Sequence, residues 1–203
     1  MNIEELAQKV QRLSDLEEIR TLRAKYSYVA NIIDGVPGGP EKFAALFAED
    51  GTIEIAMRGV YVGRPAVRRN LNLYGQAGLD DGVLHNHMQY QPVIHVAPDG
   101  RTAKLRSRAL SMMGNFGRNG SWMGGVYENT FEKVDGRWMF KTDQVMNTYF
   151  APYETGWKDL AQRPPPGITD SNPPDRPPSF PFDMYPKNFL PPYHYPNPVT
   201  GRR

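Results

Sequence analysis

The chain has 203 residues, enough for one domain with an appendage and for a substantial hydrophobic core. Its 24 basic and 22 acidic residues are scattered and leave a net charge of +2, so neither a polybasic stripe nor an acidic tail argues for nucleic acid or a membrane surface as partner. Cysteine is absent, which excludes disulfides, thiol nucleophiles and cysteinyl metal sites; the opening MNIEELAQKVQRL has no apolar signal core, and the expectation is a cytoplasmic protein.

From Ile3 to Ile33, apolar side chains recur at helical spacing: Leu6, Val10, Leu13, Leu16, Ile19, Leu22, Tyr26 and Val29 are read as one face of an amphipathic helix or two. Ser14 followed by Glu17 has the form of a capping box, which predicts a second helix from Asp15 to the Asp34-Gly35 stop. GVPGGP is a loop, EKFAALFAED a short helix ending near Asp50-Gly51, and TIEIAM a strand. Gly59 to Pro65 reads as a turn into a helix over about 66–76. From His85 the period becomes two, and turn chemistry at PDGR, NFGRNG and DG divides the sequence into four strand-length runs, an antiparallel meander. Helices followed by hairpins predict an α+β fold in which a bent sheet wraps the helices around a pocket.

Beyond Tyr149, fourteen of the 19 prolines fall between Pro152 and Pro198, which forbids helix or central strand. Composition alone describes a disordered tail. Phe180, Phe182, Tyr185, Phe189, Tyr193 and Tyr195 argue instead for an extended arm packed on the domain or a neighbouring subunit. The division is a domain over 1–150 and a proline- and aromatic-rich arm over 151–203.

Ile19-x-x-Leu22-x-x-x-Tyr26, Leu46-Phe47-Ala48-Glu49-Asp50-Gly51 and Gly63-Arg64-Pro65-Ala66, followed by His87-Met88-Gln89-Tyr90-Gln91-Pro92 and Gly125-Val126-Tyr127-Glu128-Asn129, resemble the SnoaL-like branch of the NTF2-like superfamily. The resemblance covers about residues 15 to 150. It implies a cone-shaped α+β domain and a relation to dehydratases such as scytalone dehydratase and bile-acid 7α-dehydratase, although the superfamily also holds isomerases, cyclases and non-catalytic binding modules. In the dehydratases a pocket tyrosine and histidine work beside carboxylates. Tyr26 and His87 fall at the first two positions, whereas Asn31 and Ser111 stand where the carboxylates would be. The ending PPYHYPNPVTGR is similar to a subgroup associated with breakdown of plant-derived aromatics, which includes lignin-dimer γ-formaldehyde lyases.

With that resemblance, His87 is the candidate base, since a pocket imidazole exchanges protons near neutral pH, and Tyr26 is the candidate acid. The plain alternatives are a core histidine bonded to backbone and a core tyrosine with a satisfied hydroxyl. Asn31, Tyr28 and Ser111 would position substrate oxygens. Arg108, sharing a strand face with Arg106, would bind a phenolate or carboxylate if that face lines the pocket, and Trp122 and Tyr127 would form a wall for a flat ring. His85 has the parity of His87, but MQYQPVI contains no acid to complete a metal site, and His95, of the same parity, lies too far along. No metal is expected. With no dinucleotide fingerprint, the reading is a cofactor-independent lyase acting on a hydroxylated, lignin-derived aromatic compound, by dehydration or formaldehyde-releasing C–C cleavage. A binding or assembly module, or an isomerase or cyclase, is the alternative. The expected partners are the small aromatic substrate and further copies of the chain, as a dimer or trimer.

Overall fold

A reciprocal cap starts the first helix: the Asn2 side chain accepts from the Glu5 amide at 2.8 Å and the Glu5 carboxylate accepts from the Asn2 amide at 3.1 Å. In the computed structural model, which describes residues 2–30, 39–71, 81–158, 160, 172–180 and 183–201, α1 then runs unbroken over Ile3–Ala30. The expected break at Ser14 does not occur, because its hydroxyl donates to Glu18 within the helix at 3.2 Å. Nor do the apolar residues form one stripe. Val10, Leu13, Leu16, Ile19 and Leu22 follow one another by three residues, and each such step falls about 60° short of a full turn. The buried residues Ile19, Leu22 and Tyr26 therefore lie on the side opposite Leu6, Val10 and Leu13, which are exposed.

Helix α2 spans Gly39–Ala44 and α3 spans Arg64–Leu71. Strand β1 begins at Phe47, so the segment expected to stay helical to Asp50 is already extended, with Phe47 and Ala48 turned into the core. After β1 (Phe47–Ile55) come β2 (Val60–Val62), β3 (Val83–Val96), β4 (Thr102–Asn115), β5 (Asn119–Val134) and β6 (Arg137–Pro152). They form one sheet in the order β2-β1-β6-β5-β4-β3. The meander β3 to β6 is antiparallel as expected, while β1 pairs with β6 in parallel, which makes the sheet mixed. The boundary expected at residue 150 falls within β6. Among the described residues no helix is long and apolar enough to cross a membrane.

The helices lie on the concave face, where Ile19, Tyr26, Phe43, Phe47, Phe131 and Phe140 form the centre of the core. Asp15 fixes α1 to the sheet by accepting from Trp138 Nε1 at 3.0 Å, from Gln11 and from Lys133. Burial opposes its ionisation, but these donors hold the carboxyl below its ordinary value. Pro92 is tolerated because β3 is an edge strand and the register slips between Tyr90 and Val93. That extra residue also reverses the alternation: His87 pairs with Ser111, but His95 pairs with Lys104 and faces the convex side. His95 therefore does not share the face of His87, as simple parity had it.

The arm runs from α3 and β2, where Arg69 meets Asn172 and Asp175, to the convex face of the sheet. Ser179 donates to Glu54 of β1, the Tyr185 amide to the Thr148 carbonyl of β6 at 2.7 Å, and Arg106 of β4 to the Pro192 carbonyl at 2.7 Å. His194 meets Glu128 at 2.7 Å and His95 at 3.0 Å. Upstream, residue 176 forms a bridge with Val60 beside Gly59, whose φ of 97° and ψ of −175° suit only glycine. A Cβ at that position would stand 2.5 Å from the Arg176 carbonyl oxygen and 2.8 Å from Pro174. Gly59→Ala is expected to destabilise by about 1–3 kcal/mol from backbone strain, and to free residues 172–176 for proteolysis. An unchanged melting temperature together with an unchanged digestion pattern would contradict this.

Candidate active site

Because β-strand side chains alternate, the odd-numbered residues of β4 and β5 at this level turn toward the helices, and three layers of them build the site. Cross-strand pairing places Asn129 opposite Asp143, Tyr127 opposite both Ser107 and Val145, and Ser111 between His87 and Met123. Tyr26 comes down from α1 against Tyr127, with ring centroids 6.1 Å apart at 75°. Between the helix and the sheet lies a cavity of about 60 Å³. Its polar lining is Tyr26, Tyr127, His87, His85, Asn70, Asn147 and Arg58; Phe43, Ile53, Met113, Met123 and Phe150 supply apolar wall.

Both ring nitrogens of His87 are engaged. Nε2 lies 2.7 Å from the Tyr127 hydroxyl and Nδ1 lies 2.8 Å from Ser111 Oγ. Burial, reinforced by the positive charge of Arg23 and by His85, lowers its pKa from 6.5 to about 3, so the imidazole is neutral near neutral pH. A neutral ring whose Nε2 accepts from Tyr127 carries its proton on Nδ1 and donates it to Ser111. The linked effect on stability has a definite sign. Between 6.5 and about 3 the unfolded chain binds a proton on this residue that the folded chain does not, so stability falls as pH is lowered through that window. His87→Gln, which cannot titrate, is expected to flatten the fall in unfolding free energy measured from pH 6.5 downward. An unaltered slope would show that His87 is not the group responsible.

Behind the two tyrosines sits a buried ion pair. The Arg23 guanidinium carbon stands 4.2 Å from the Tyr26 ring centroid and 4.1 Å from that of Tyr127, and Nη1 is 3.7 Å from Asp143 Oδ1. Asn129 donates to the same carboxylate oxygen. Burial raises the Asp143 pKa, with Arg23 the main opposing influence, and burial followed by the charges of Asp143 and Tyr127 pushes the Tyr26 phenol well above its ordinary value. Tyr26 is therefore a persistent hydrogen-bond donor. Among the buried side-chain polar atoms with no hydrogen-bond partner in the described residues are both amide atoms of Asn70, the Asn147 side-chain carbonyl and the nitrogens of Arg23. The two amides lie in the cavity wall, where a ligand bearing a hydroxyl or carbonyl would satisfy them.

The expected site residues thus divide into two groups. Tyr26, His87 and Tyr127 line one cavity, and Ser111 stands behind His87 as its partner. Arg108 is exposed and pairs with Tyr90 and Val126, on the face away from the cavity; Trp122 pairs with Met112 on that same face, and Tyr28 is 59% exposed. Asn31 lies outside the described residues. Arg106, the other arginine of its strand face, is buried under the arm, against Glu128 and the Tyr193 ring at 3.6 Å. Arg23, Asp143, Asn129, Asn70 and Asn147 were not singled out from the sequence. The one local signal was a charged residue within an otherwise apolar helical face, three positions before Tyr26. His85 lines the cavity, and among the described residues no cluster of three or more metal-ligating side chains occurs.

A search of curated protein sequences gives no significant match. Solved structures do match. A scytalone dehydratase-like protein from Novosphingobium aromaticivorans DSM 12444 is 25% identical with a TM-score of 0.60, over 80% of this chain and 99% of that one. A variant of the Mycobacterium tuberculosis protein Rv3472, described as of unknown function, is 24% identical with a TM-score of 0.54, over 67% and 73%. Hexachlorocyclohexane dehydrochlorinase LinA-type3 from Novosphingobium barchaimii LL02 is 15% identical with a TM-score of 0.59, over 77% and 99%, and shares the fold. The profile of the SnoaL-like domain matches residues 11–142, well over half of the sequence, and shows that the chain, with its helices packed on a six-stranded mixed sheet, belongs to the SnoaL-like family.

Proposed function

We propose that the protein is a cofactor-independent lyase that eliminates water from a small hydroxylated ring compound by proton transfer between tyrosines. The observation that carries this reading is the hydrogen-bonded chain Ser111–His87–Tyr127, which ends with the Tyr127 oxygen at the cavity. With the His87 proton on Nδ1, the Tyr127 hydroxyl donates to Nε2, and its oxygen takes a proton from the substrate as its own proton passes to His87. His87 thus acts through Tyr127, and not as the direct base that the family resemblance implied. The Tyr26 phenol donates to the departing hydroxyl, which leaves as water as the carbon–carbon double bond forms, and the Arg23 charge against its ring offsets part of the burial that opposes proton release. Return of the proton from His87 through Tyr127 to Tyr26 restores the starting state. Arg23, against both rings, stabilises phenolate character as it develops.

The first structural relative is named for a dehydration, which agrees with this chemistry. The small volume of the cavity favours a compound that presents a single ring to it. Lignin-derived aromatics of that size are substrate candidates, with Asn70 and Asn147 holding their oxygens. A cytoplasmic setting belongs to the same reading. The test is a panel of single-ring hydroxylated compounds and two-ring lignin-derived compounds, followed by alkene absorbance and by formaldehyde assay, before and after exhaustive chelation. Alkene without formaldehyde, at a rate indifferent to chelation, is the expected result. Saturable binding without turnover across the panel would favour a binding module, and stoichiometric formaldehyde would favour C–C cleavage.

A further inference from the structure

The first thirteen described residues of the chain, 2–14, are all exposed although all but Asn2 are helical. A dozen residues of helix whose apolar side chains are all exposed is marginal in water, because helices in proteins draw most of their stability from packing an apolar face. This segment has such a face, turned outward. Ile3 is 88% exposed, Leu6 47%, Val10 57% and Leu13 65%. They recur with the 3-4-3 spacing of a coiled-coil seam, and the residue types are ordered: β-branched Ile3 and Val10 occupy the first core position of each heptad, Leu6 and Leu13 the second. That order selects two parallel strands over higher assemblies.

The surroundings of the seam agree with that partner. Asp15, the residue through which α1 is bonded to Lys133 and Trp138, falls at the heptad position farthest from the seam, so the domain lies on the opposite side of the helix and leaves the seam accessible. Of the four flanking positions, filled by Ala7, Lys9, Ser14 and Leu16, only Lys9 is charged, and its cross-strand neighbour in a parallel pair is Ser14, so no like charges meet. At the next heptad Glu17 and Arg20 occupy the core positions and end the seam. The Asn2–Glu5 cap begins the helix one residue before it.

We propose that residues 3–13 of α1 pair with the same residues of a second copy of this chain as a short parallel two-stranded coiled coil. The chain contains no cysteine, so one introduced thiol reports the geometry directly. Leu13→Cys is expected to form an intermolecular disulfide on mild oxidation in the full-length protein, while Gln8→Cys, on the domain side of the helix, stays uncrosslinked. Val10→Glu/Leu13→Glu should halve the mass measured by light scattering and leave the domain's melting transition in place, because both positions are exposed. The proposal fails if Leu13→Cys does not crosslink. It also fails if Ile3→Cys mixed with Leu13→Cys crosslinks in preference to either alone, which indicates an antiparallel pair, or if the double variant keeps the wild-type mass, which indicates that another surface, or the chain's own arm, accounts for the assembly state.

Discussion

Replacing Tyr127 with phenylalanine is expected to lower kcat by about 10²–10⁴-fold while changing KM only a few-fold. The substitution keeps the ring that Arg23 and Tyr26 pack against and removes one oxygen, which in the proposed reaction both accepts the substrate proton and hands its own to His87. An interaction made mainly in the transition state lowers turnover, not ground-state binding. The variant also leaves the buried Nε2 of His87 without the hydroxyl, a loss of about 1–3 kcal/mol in stability. Circular dichroism and a thermal melt must therefore accompany the kinetics, with the rate read well below the transition. Activity within a few-fold of wild type in a folded variant would remove Tyr127 from the chemistry and return the base role to another cavity residue.

The parts of this site that could be read from sequence are those governed by local rules. His87 and Ser111 were placed on adjacent strands because the meander's turns fix register, and they are paired in the structure. Helical spacing over one turn, where periodicity is dependable, placed Tyr26 on the buried face, while its role came from the family resemblance. Longer extrapolations failed for identifiable reasons. A run of three-residue steps carried the apolar stripe of α1 around the helix, so Leu6, Val10 and Leu13 are on the surface and not in the core. One extra residue near Gln91, which adopts a φ of 54°, moved His95 to the opposite face of β3. Trp122 was expected in the pocket wall on residue type, and Arg108 if its strand face lined the pocket, yet both occupy even-numbered positions whose side chains leave the cavity. Arg23 and Asp143 are 120 residues apart, and nothing short-range in either segment indicates the other.

That pair supports the second large effect. Arg23→Met leaves Asp143 fully buried without its main positive neighbour, and loss of one partner of a buried pair is expected to destabilise by about 3–5 kcal/mol at neutral pH. The deficit depends on pH in a defined direction. Burial already raises the Asp143 pKa above 3.8, and Arg23 is the main influence holding it down, so removing Arg23 raises it further. Between 3.8 and that raised value the folded chain holds a proton that the unfolded chain has released, and stability therefore falls as pH rises through the window. Urea unfolding of wild type and variant over a pH series should show a small gap near 3.8 that widens toward neutrality. Arg23→Met/Asp143→Leu, which removes both charges and restores an apolar volume, should recover most of the lost stability. It should not recover turnover, since neither Tyr26 nor Tyr127 then faces a guanidinium. A pair that can be replaced without loss of stability but not without loss of rate is retained for what it does to the two phenols. A double variant that turns over like wild type would show instead that Arg23 and Asp143 only fill the core.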